Sequence, residues 1–554
     1  MRIIINRVLL VAFFYNCLIL FVLNDLKAQN LVKPIAGRTL LSGNFGELRA
    51  THLHSGVDIK TGGVEGMPVI CIQDGVVSRI AVSPVGYGLA LYIDHPDGTT
   101  SVYGHLQRFE PCLAALVREI QYEKESFRID ENVLSRQLCY RQGDTIAYSG
   151  NSGSSAGPHL HFEIRNTRTE HTWNPLLFYS VRDLKAPQVK LLGLYSVKED
   201  GRVELLRTCP VKNVGGGKYS AGRCIVPAGK IGLGAHALDY MEDSWNKLGV
   251  YTLDVVAGSD TLYHLSMDSC SFFQSRLIND VKDFDRYKKR ETFYRCFGNR
   301  QHELLAVRMQ GDGTVNVEPD SVVKVKMCFS DINGNASRLV FELKGKAVES
   351  ECLSDDNILR YGVPYVLEQG SWHLELDADA LFSSVERVVE VRTDTMSGHE
   401  ILILSRKDTP LYKKATLEVK GEFTEKSFIC ELTSSGRKYP LPTTRTAGSL
   451  KAEIGSLNRY TVVDDTIAPS IIYLGKGTGG TLRFRIKDNF SGIASYRGEV
   501  NGEWCLFSYD PRTAILQCLS TEPMFVKGKS NEVRIVVEDY ARNRKELSVK
   551  VTLP

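Results

Sequence analysis

The sequence predicts a mainly β protein, with an antiparallel β domain first and β-sandwich modules after it. Two observations carry that reading. Past Pro187 the chain becomes a series of short alternating apolar segments separated by turn residues. Thr481-Leu-Arg-Phe-Arg-Ile486 is one, apolar at Leu482, Phe484 and Ile486; Glu532-Val-Arg-Ile-Val-Val537 is another. Upstream, Ser101-Val-Tyr-Gly-His105-Leu and His159-Leu-His161-Phe-Glu163 also read as strands, and these carry histidines.

The N-terminus comes first in order. Arg2 and Arg7 precede an apolar run from Val8 to Leu23, interrupted only by Tyr15 and Asn16. Asn24-Asp-Leu-Lys-Ala28 follows. This pattern is that of a secretory signal over residues 1–28, cleaved after Ala28, and it places the mature chain in the periplasm or cell envelope. Cys17 lies inside the run without the small-residue context of a lipidation site. The formal charge is +3 over 554 residues. Residues 1–28 contribute +2 of it, leaving a nearly neutral mature chain with no basic run, and so no electrostatic case for nucleic acid. Setting Cys17 aside leaves twelve of the thirteen cysteines. Cys112 with Cys139, Cys209 with Cys224 and Cys505 with Cys518 are local candidates for disulfides.

The chemistry is concentrated in three short segments. His54-Ser-Gly-Val-Asp58 offers an imidazole and a carboxylate, and Gly157-Pro-His-Leu-His-Phe-Glu163 offers two more imidazoles. Together they hold the donors of a zinc site with one position left open for water, plus a histidine beside that water. His159 and His161 are two apart on a strand and share a face. His54 and Asp58, four apart, would stand roughly 13 Å from one another on an extended chain, so a bend is required between them. Gly56 is the residue expected to allow it. His105 completes the set. His52, two before His54, is the one competitor for the ligand role. His52 and His95 otherwise read as surface or hydrogen-bonded residues, and His171, His236, His264, His302, His373 and His399 have no motif context.

In this combination the chain resembles the lysostaphin/LytM-type zinc metallopeptidases of bacterial cell walls. The resemblance covers approximately residues 40–180 and includes Gly43-Asn-Phe-Gly46, Gly66-Met-Pro-Val69, Asp74-Gly-Val-Val77, Gly143 to Gly153 and Asn174-Pro-Leu176. Gly104 stands where alanine is more usual. The resemblance implies that His54, Asp58 and His161 bind Zn2+, that His159 is the general base, and that His105 orients the water or stabilises the oxyanion. Glu163 and Arg165 are expected to support the site, and Tyr103 to line the cleft. The loop with Asn151, Ser154 and Ser155 is expected to form a cleft wall, its serines shaping turns.

Domain organisation follows from pattern changes. Residues 29–182 are expected to form the peptidase domain, interrupted by a charged segment at 109–141 where such domains have a short connection. That segment shows helical spacing at Leu113, Leu116, Val117 and Ile120, and reads equally as a lid or as a decorated surface hairpin. Immunoglobulin-like sandwiches are expected at 187–346, with a polar insertion around Ser271 to Arg295, and at 466–554. A further β-rich module is expected at 352–465. A weak internal repeat supports the pair: Asp183-Leu-Lys-Ala-Pro187 returns as Asp465-Thr-Ile-Ala-Pro469, Asp239 as Asp488, and Asp331-Ile-Asn-Gly-Asn335 as Asp539-Tyr-Ala-Arg-Asn543. Turn formation is the preferred reading of these aspartates, because no dense oxygen-ligand loop is present.

The resemblance therefore implies a zinc endopeptidase acting on peptidoglycan stem peptides or cross-links, and the signal pattern implies export. The sandwiches are expected either to position the enzyme or to bind a partner such as an envelope protein. The alternative is a non-catalytic wall-binding scaffold or amidase regulator. Such relatives generally lack site residues that this chain retains.

Overall fold

The structure is a computed structural model that describes residues 31–348, 357–394 and 398–553. The signal segment, Cys17 and Cys352 lie outside the described residues.

The first domain is one large antiparallel sheet. Its strands are β1 (Leu41–Gly43), β2 (Val57–Lys60), β3 (Pro68–Ile70), β4 (Gly75–Val82), β5 (Leu89–Asp94) and β6 (Thr99–Phe109). After helix α1 (Pro111–Glu123) come β7 (Ile129–Asn132), β8 (Cys139–Tyr140), β9 (Thr145–Ser149), β10 (His159–Asn166) and β11 (Thr172–Trp173). The main path runs β1-β2-β10-β6-β5-β4-β7, with β9 joining β6 to β3. Strand β10 shows why the sheet is two-faced. Leu160, Phe162 and Ile164 are at most 1% exposed and point into the core, so His159, His161, Glu163 and Arg165 take the opposite face.

The 109–141 segment forms a capped helix and an added edge strand. Glu110 caps α1 by accepting the Cys112 and Leu113 N–H groups, and Pro111 fills the first helical position. Leu113, Val117 and Ile120 are buried beneath it. Strand β7 pairs with β4, at the far end of the sheet from β2 and β10. The added strand thus lies away from β2 and β10, while α1 packs on β6, the strand that carries His105. The expected Cys112–Cys139 staple does not form, both being free thiols.

Three two-sheet sandwiches follow. The first packs a sheet centred on Gln188–Val197 and Gly229–Leu238 against one centred on Val322–Ser330 and Ala336–Lys346. Lys218–Pro227 runs parallel to Ala336–Lys346, the exception in an otherwise antiparallel arrangement. Its core merges with that of the first domain into one cluster, and Ser269–Cys270 extends the first domain's sheet through β11. The Ser271–Arg295 insertion is less polar in its role than in its composition: Leu277, Ile278 and Val281 are fully buried. The second sandwich surrounds Trp372, Leu417, Ile429 and Tyr460. The third surrounds Leu482, Phe484, Ile486, Val533, Ile535 and Val537, the positions that alternation marks as apolar.

The third sandwich returns to the first domain. Glu522, almost fully buried, accepts from both terminal nitrogens of Arg118 on α1 at 2.9 and 2.5 Å and from the Tyr122 hydroxyl. Arg497 pairs with Glu125 at 2.7 Å, and Arg512 donates to the Ser155 carbonyl at 2.7 Å. All eleven cysteines among the described residues are free thiols. The Cys209 and Cys224 sulfurs lie 4.0 Å apart, while Cys112 and Cys139 are both exposed.

Candidate metal and catalytic centre

Sheet register assembles the centre. Asp58 on β2 lies directly opposite His161 on β10, and His161 lies opposite Gly104 on β6. Cross-strand partners on one face are nearest neighbours, so two strands separated by a hundred residues deliver a carboxylate and an imidazole to one point. His54 joins them from the end of the loop before β2, held by its backbone N–H to the Glu47 carbonyl. Asp58 Oδ1 is 3.1 Å from His54 Nε2, 2.9 Å from His161 Nδ1 and 3.4 Å from His159 Nε2. His54 Nε2 and His161 Nδ1 are 3.2 Å apart.

The outward nitrogen of each imidazole is committed elsewhere. His54 Nδ1 donates to the Asn44 carbonyl at 2.8 Å, and His161 Nε2 to Glu163 Oε1 at 2.7 Å. His159 Nδ1 donates to the Gly157 carbonyl at 2.8 Å, and His105 Nδ1 to the Ser152 carbonyl at 2.9 Å. Each bond fixes the tautomer with the lone pair on the other nitrogen. Lone pairs of His54 and His161 therefore face each other and a carboxylate, an arrangement that suits a cation between them. The spacings of 2.9–3.2 Å are close to the roughly 3.3 Å edges of a tetrahedron with zinc-ligand arms of about 2.0 Å. These three donors fit a zinc ion, and His105 and His159 stand beside the remaining space, their rings 4.8 Å apart.

The electrostatics are those of a site prepared for positive charge. Burial opposes ionisation of Asp58, but the surrounding imidazoles outweigh it and hold its carboxyl well below the usual range. Its second oxygen, Oδ2, is paired with Arg49 at 2.8 Å. Glu163 is fully buried; Arg165 and His161 overcome that burial and keep it ionised. For His161 burial is likewise outweighed, here by Asp58 and Glu163, and the ring is held up at about 9 when no metal competes for its lone pair. His105 is pushed down to about 3 by burial and by the neighbouring His161 and His159, so it is neutral. Its φ of 57° is unusual for a non-glycine residue. The strain is held by its ring bond to Ser152 and by its N–H to the Tyr87 carbonyl.

Residues 52–119, which include His54, Asp58 and His105, match the family model described as Peptidase family M23. This region is a peptidase family M23 domain. The DD-carboxypeptidase/endopeptidase Mpg of Neisseria meningitidis is 31% identical over 132 residues, 23% of this chain and 24% of that protein. An uncharacterized metalloprotease of Haemophilus influenzae is 34% identical over 111 residues, 20% of this chain and 18% of that protein. The chain thus spans about a quarter or less of the length of these curated relatives. Among solved structures, the catalytic domain of lysostaphin from Staphylococcus simulans is 22% identical, covering 24% of this chain and 87% of that one, with a TM-score of 0.18.

Within the M23 domain, the expectations for Gly56 and Tyr103 change, while those for His52 and Gly104 gain a physical reason. Gly56 has no left-handed φ. It is needed for space, because a Cβ there would lie 2.4 Å from the Phe162 carbonyl oxygen and 2.7 Å from Glu163 Cγ. Tyr103 does not line the cleft; it is fully buried and packs on Phe162. His52 is exposed, and its ring meets only the Thr51 hydroxyl among the described residues, so it is the surface residue expected and does not compete for the ligand role. Gly104 leaves room for the more usual alanine: a Cβ there would meet His161 Cβ at 3.4 Å, an ordinary contact.

The sequence reading also missed residues. Tyr87 stacks on His161 at 4.9 Å and donates its hydroxyl to Glu163 at 2.6 Å. Ser55 donates to the same oxygen at 2.6 Å. Asn44, which holds His54, is itself bonded on both amide atoms to the backbone of Gly249 in the first sandwich. The only sequence signal for Tyr87 is its position between two glycines in Val85-Gly-Tyr-Gly88.

Proposed function

We propose that the chain is an exported zinc endopeptidase that hydrolyses peptide bonds in peptidoglycan stem peptides or cross-links. The observation that carries this reading is the convergence of imidazole lone pairs on one carboxylate oxygen, each set by an outward hydrogen bond. His54, Asp58 and His161 would hold the ion. Bound zinc supplies a Lewis acid for the scissile carbonyl and a water acidified towards a pKa of ~7. His159 keeps its Nε2 lone pair free because Nδ1–H is spent on Gly157, so it accepts the proton from the attacking water and returns it to the leaving amine. Its side chain is 14% exposed, against 6% for His54 and 5% for His161, which leaves it more open to solvent than those two ligands. His105, neutral and fixed through Nδ1 by the Ser152 carbonyl, keeps its Nε2 lone pair, with its ring 4.8 Å from that of His159, and would orient the water or steady the developing oxyanion. Glu163, Ser55, Tyr87 and Arg165 hold His161 in its ligating tautomer.

The substrate class rests on the peptidase family and on the name carried by the Neisseria relatives, which points to bonds between D-configured residues. Export rests on the secretory pattern of residues 1–28. Digestion of purified peptidoglycan by residues 29–554, with fragments read by mass spectrometry, tests the reading. Zinc-dependent loss of cross-linked dimers, abolished by a chelator, is the expected result. Intact cross-links after incubation with folded, zinc-loaded protein would turn the assignment to the scaffold alternative.

A further inference from the structure

The sandwiches at 187–346 and 466–554 repeat one polar arrangement that the peptidase chemistry does not use. In the first, a carboxylate oxygen from each of Asp183, Asp239 and Asp331 lies within 4.8 Å of the other two. In the last, Asp465, Asp488 and Asp539 meet in the same way. The members correspond one to one. Asp183 and Asp465 lie in the segment entering each module, four residues before a proline. Asp239 and Asp488 directly follow Gly229–Leu238 and Thr481–Lys487. Asp331 and Asp539 begin the turn between the module's last two strands.

The surrounding hydrogen bonds correspond as well. Asn335 donates its backbone N–H to Asp331 Oδ1 at 2.8 Å, and its amide to the Asp183 carbonyl at 3.0 Å and Asp331 Oδ2 at 2.6 Å. Asn543 makes the same three bonds, to Asp539 Oδ1 at 2.8 Å, the Asp465 carbonyl at 2.9 Å and Asp539 Oδ2 at 2.8 Å. Turn formation accounts for these bonds but leaves other oxygens unexplained. Asp239 is 3% exposed, and its Oδ1 accepts no hydrogen bond among the described residues. Asp488 is half-buried; its Oδ2 accepts the Phe490 and Gly492 N–H groups at 2.8 Å, while its Oδ1 is enclosed with no partner among the described residues. Ser491 Oγ, whose backbone N–H bonds Asp465, is a second oxygen without a partner among the described residues beside the later cluster. Leaving a buried carboxylate oxygen unmet is costly, and here the omission occurs twice at equivalent atoms. Burial first, then its acidic neighbours, push Asp239 up to about 8 and Asp183 to about 6.

We propose that the two clusters are calcium sites, one at the base of each module. All the converging donors are hard oxygens and three are carboxylates, which suits calcium rather than the nitrogen-rich preference of zinc. Calcium takes six to eight oxygens in flexible geometry, so carboxylates, nearby carbonyls and water can complete the shell. Each ion would tie the entering segment to a strand end and to a hairpin, fixing how a module sits on the one before it.

The test is calcium titration of the mature chain, residues 29–554, held with one equivalent of zinc, followed by calorimetry. Two calcium ions per wild-type chain are expected, one in Asp239→Asn, one in Asp488→Asn and none in the double variant. Asparagine keeps the shape and removes like-charge repulsion, so the variants should fold and melt no lower than wild type without calcium. Calcium should then raise the melting temperature of wild type and not of the double variant. Magnesium should bind at least about tenfold more weakly. Absence of uptake by folded wild type up to about 10 mM calcium, above the weakest affinities of extracellular modules, overturns the proposal. So does uptake unchanged in both single variants.

Discussion

The M23 centre and the aspartate clusters of the sandwiches gather polar side chains in opposite ways. At the centre, donors stand on paired strands, and each imidazole is turned by a second residue so that its lone pair faces inward. In the clusters, the aspartates stand at strand ends and turns, and one oxygen of each set is left without any partner. The difference teaches what each can select. Nitrogen donors fixed by hydrogen bonds favour an ion with strict tetrahedral demands, whereas carboxylates on loops suit one that tolerates irregular shells.

Four substitutions sharpen that contrast. His161→Ala should have the largest effect, removing a donor and costing several kcal/mol of transition-state stabilisation, about a thousandfold or more in hydrolysis rate. Zinc content and fragment yield would be measured together, and calcium uptake should not change; retained zinc with full hydrolysis would break the ligand assignment. Glu163→Gln should come next, weakening zinc by about 10–100-fold through loss of the charge that orients His161. Competition with a chromogenic chelator reads this directly, and an unchanged affinity would show that the outward bonds are incidental. Gly56→Ala should cost about 1–3 kcal/mol, because its Cβ meets the β10 backbone. In a unit of this size that lowers the melting temperature by about 2–4 °C per kcal/mol. Gly104→Ala should be nearly silent in both melting and activity, since the nearest atoms stand at 3.4 Å. A Gly104→Ala penalty as large as that of Gly56→Ala would mean the strands are packed more tightly around the centre than the contacts imply.

The centre was legible because its residues fall in short motifs with strict spacing. The alternation of β10 alone puts His159 and His161 on one face, and the five motif residues do meet. What supports them was not legible. Tyr87 and Ser55 act on His161 through Glu163, and Asn44 acts on His54 through its main-chain carbonyl, which any residue could supply. Gly56 was read as a hinge although its role is to leave room for β10, a constraint set by a strand a hundred residues away. The 109–141 segment was open between lid and hairpin, and only tertiary pairing put its strand β7 on β4, at the sheet edge away from β2 and β10. The aspartates were visible as a repeat, and local spacing favoured turns. That reading covers the asparagine bonds and the N–H groups that Asp183, Asp465 and Asp488 accept from two residues on, but not the enclosed Oδ1 atoms of Asp239 and Asp488.

Sequence by itself determined the strands, the apolar alternation of the last module, the histidine motifs and the duplication of the aspartates. These depend on neighbours two to five residues apart, where covalent geometry fixes which side chains share a face. Tertiary structure alone decided which tautomer each histidine adopts, that Gly249 of a sandwich holds Asn44 of the M23 domain, and that the last sandwich docks on α1 through Glu522. It also decided that three aspartates from distant segments meet with an oxygen unspent. The physical reason is range: hydrogen bonds and burial act between atoms a few ångströms apart in space, and chain separation carries no record of which atoms those will be.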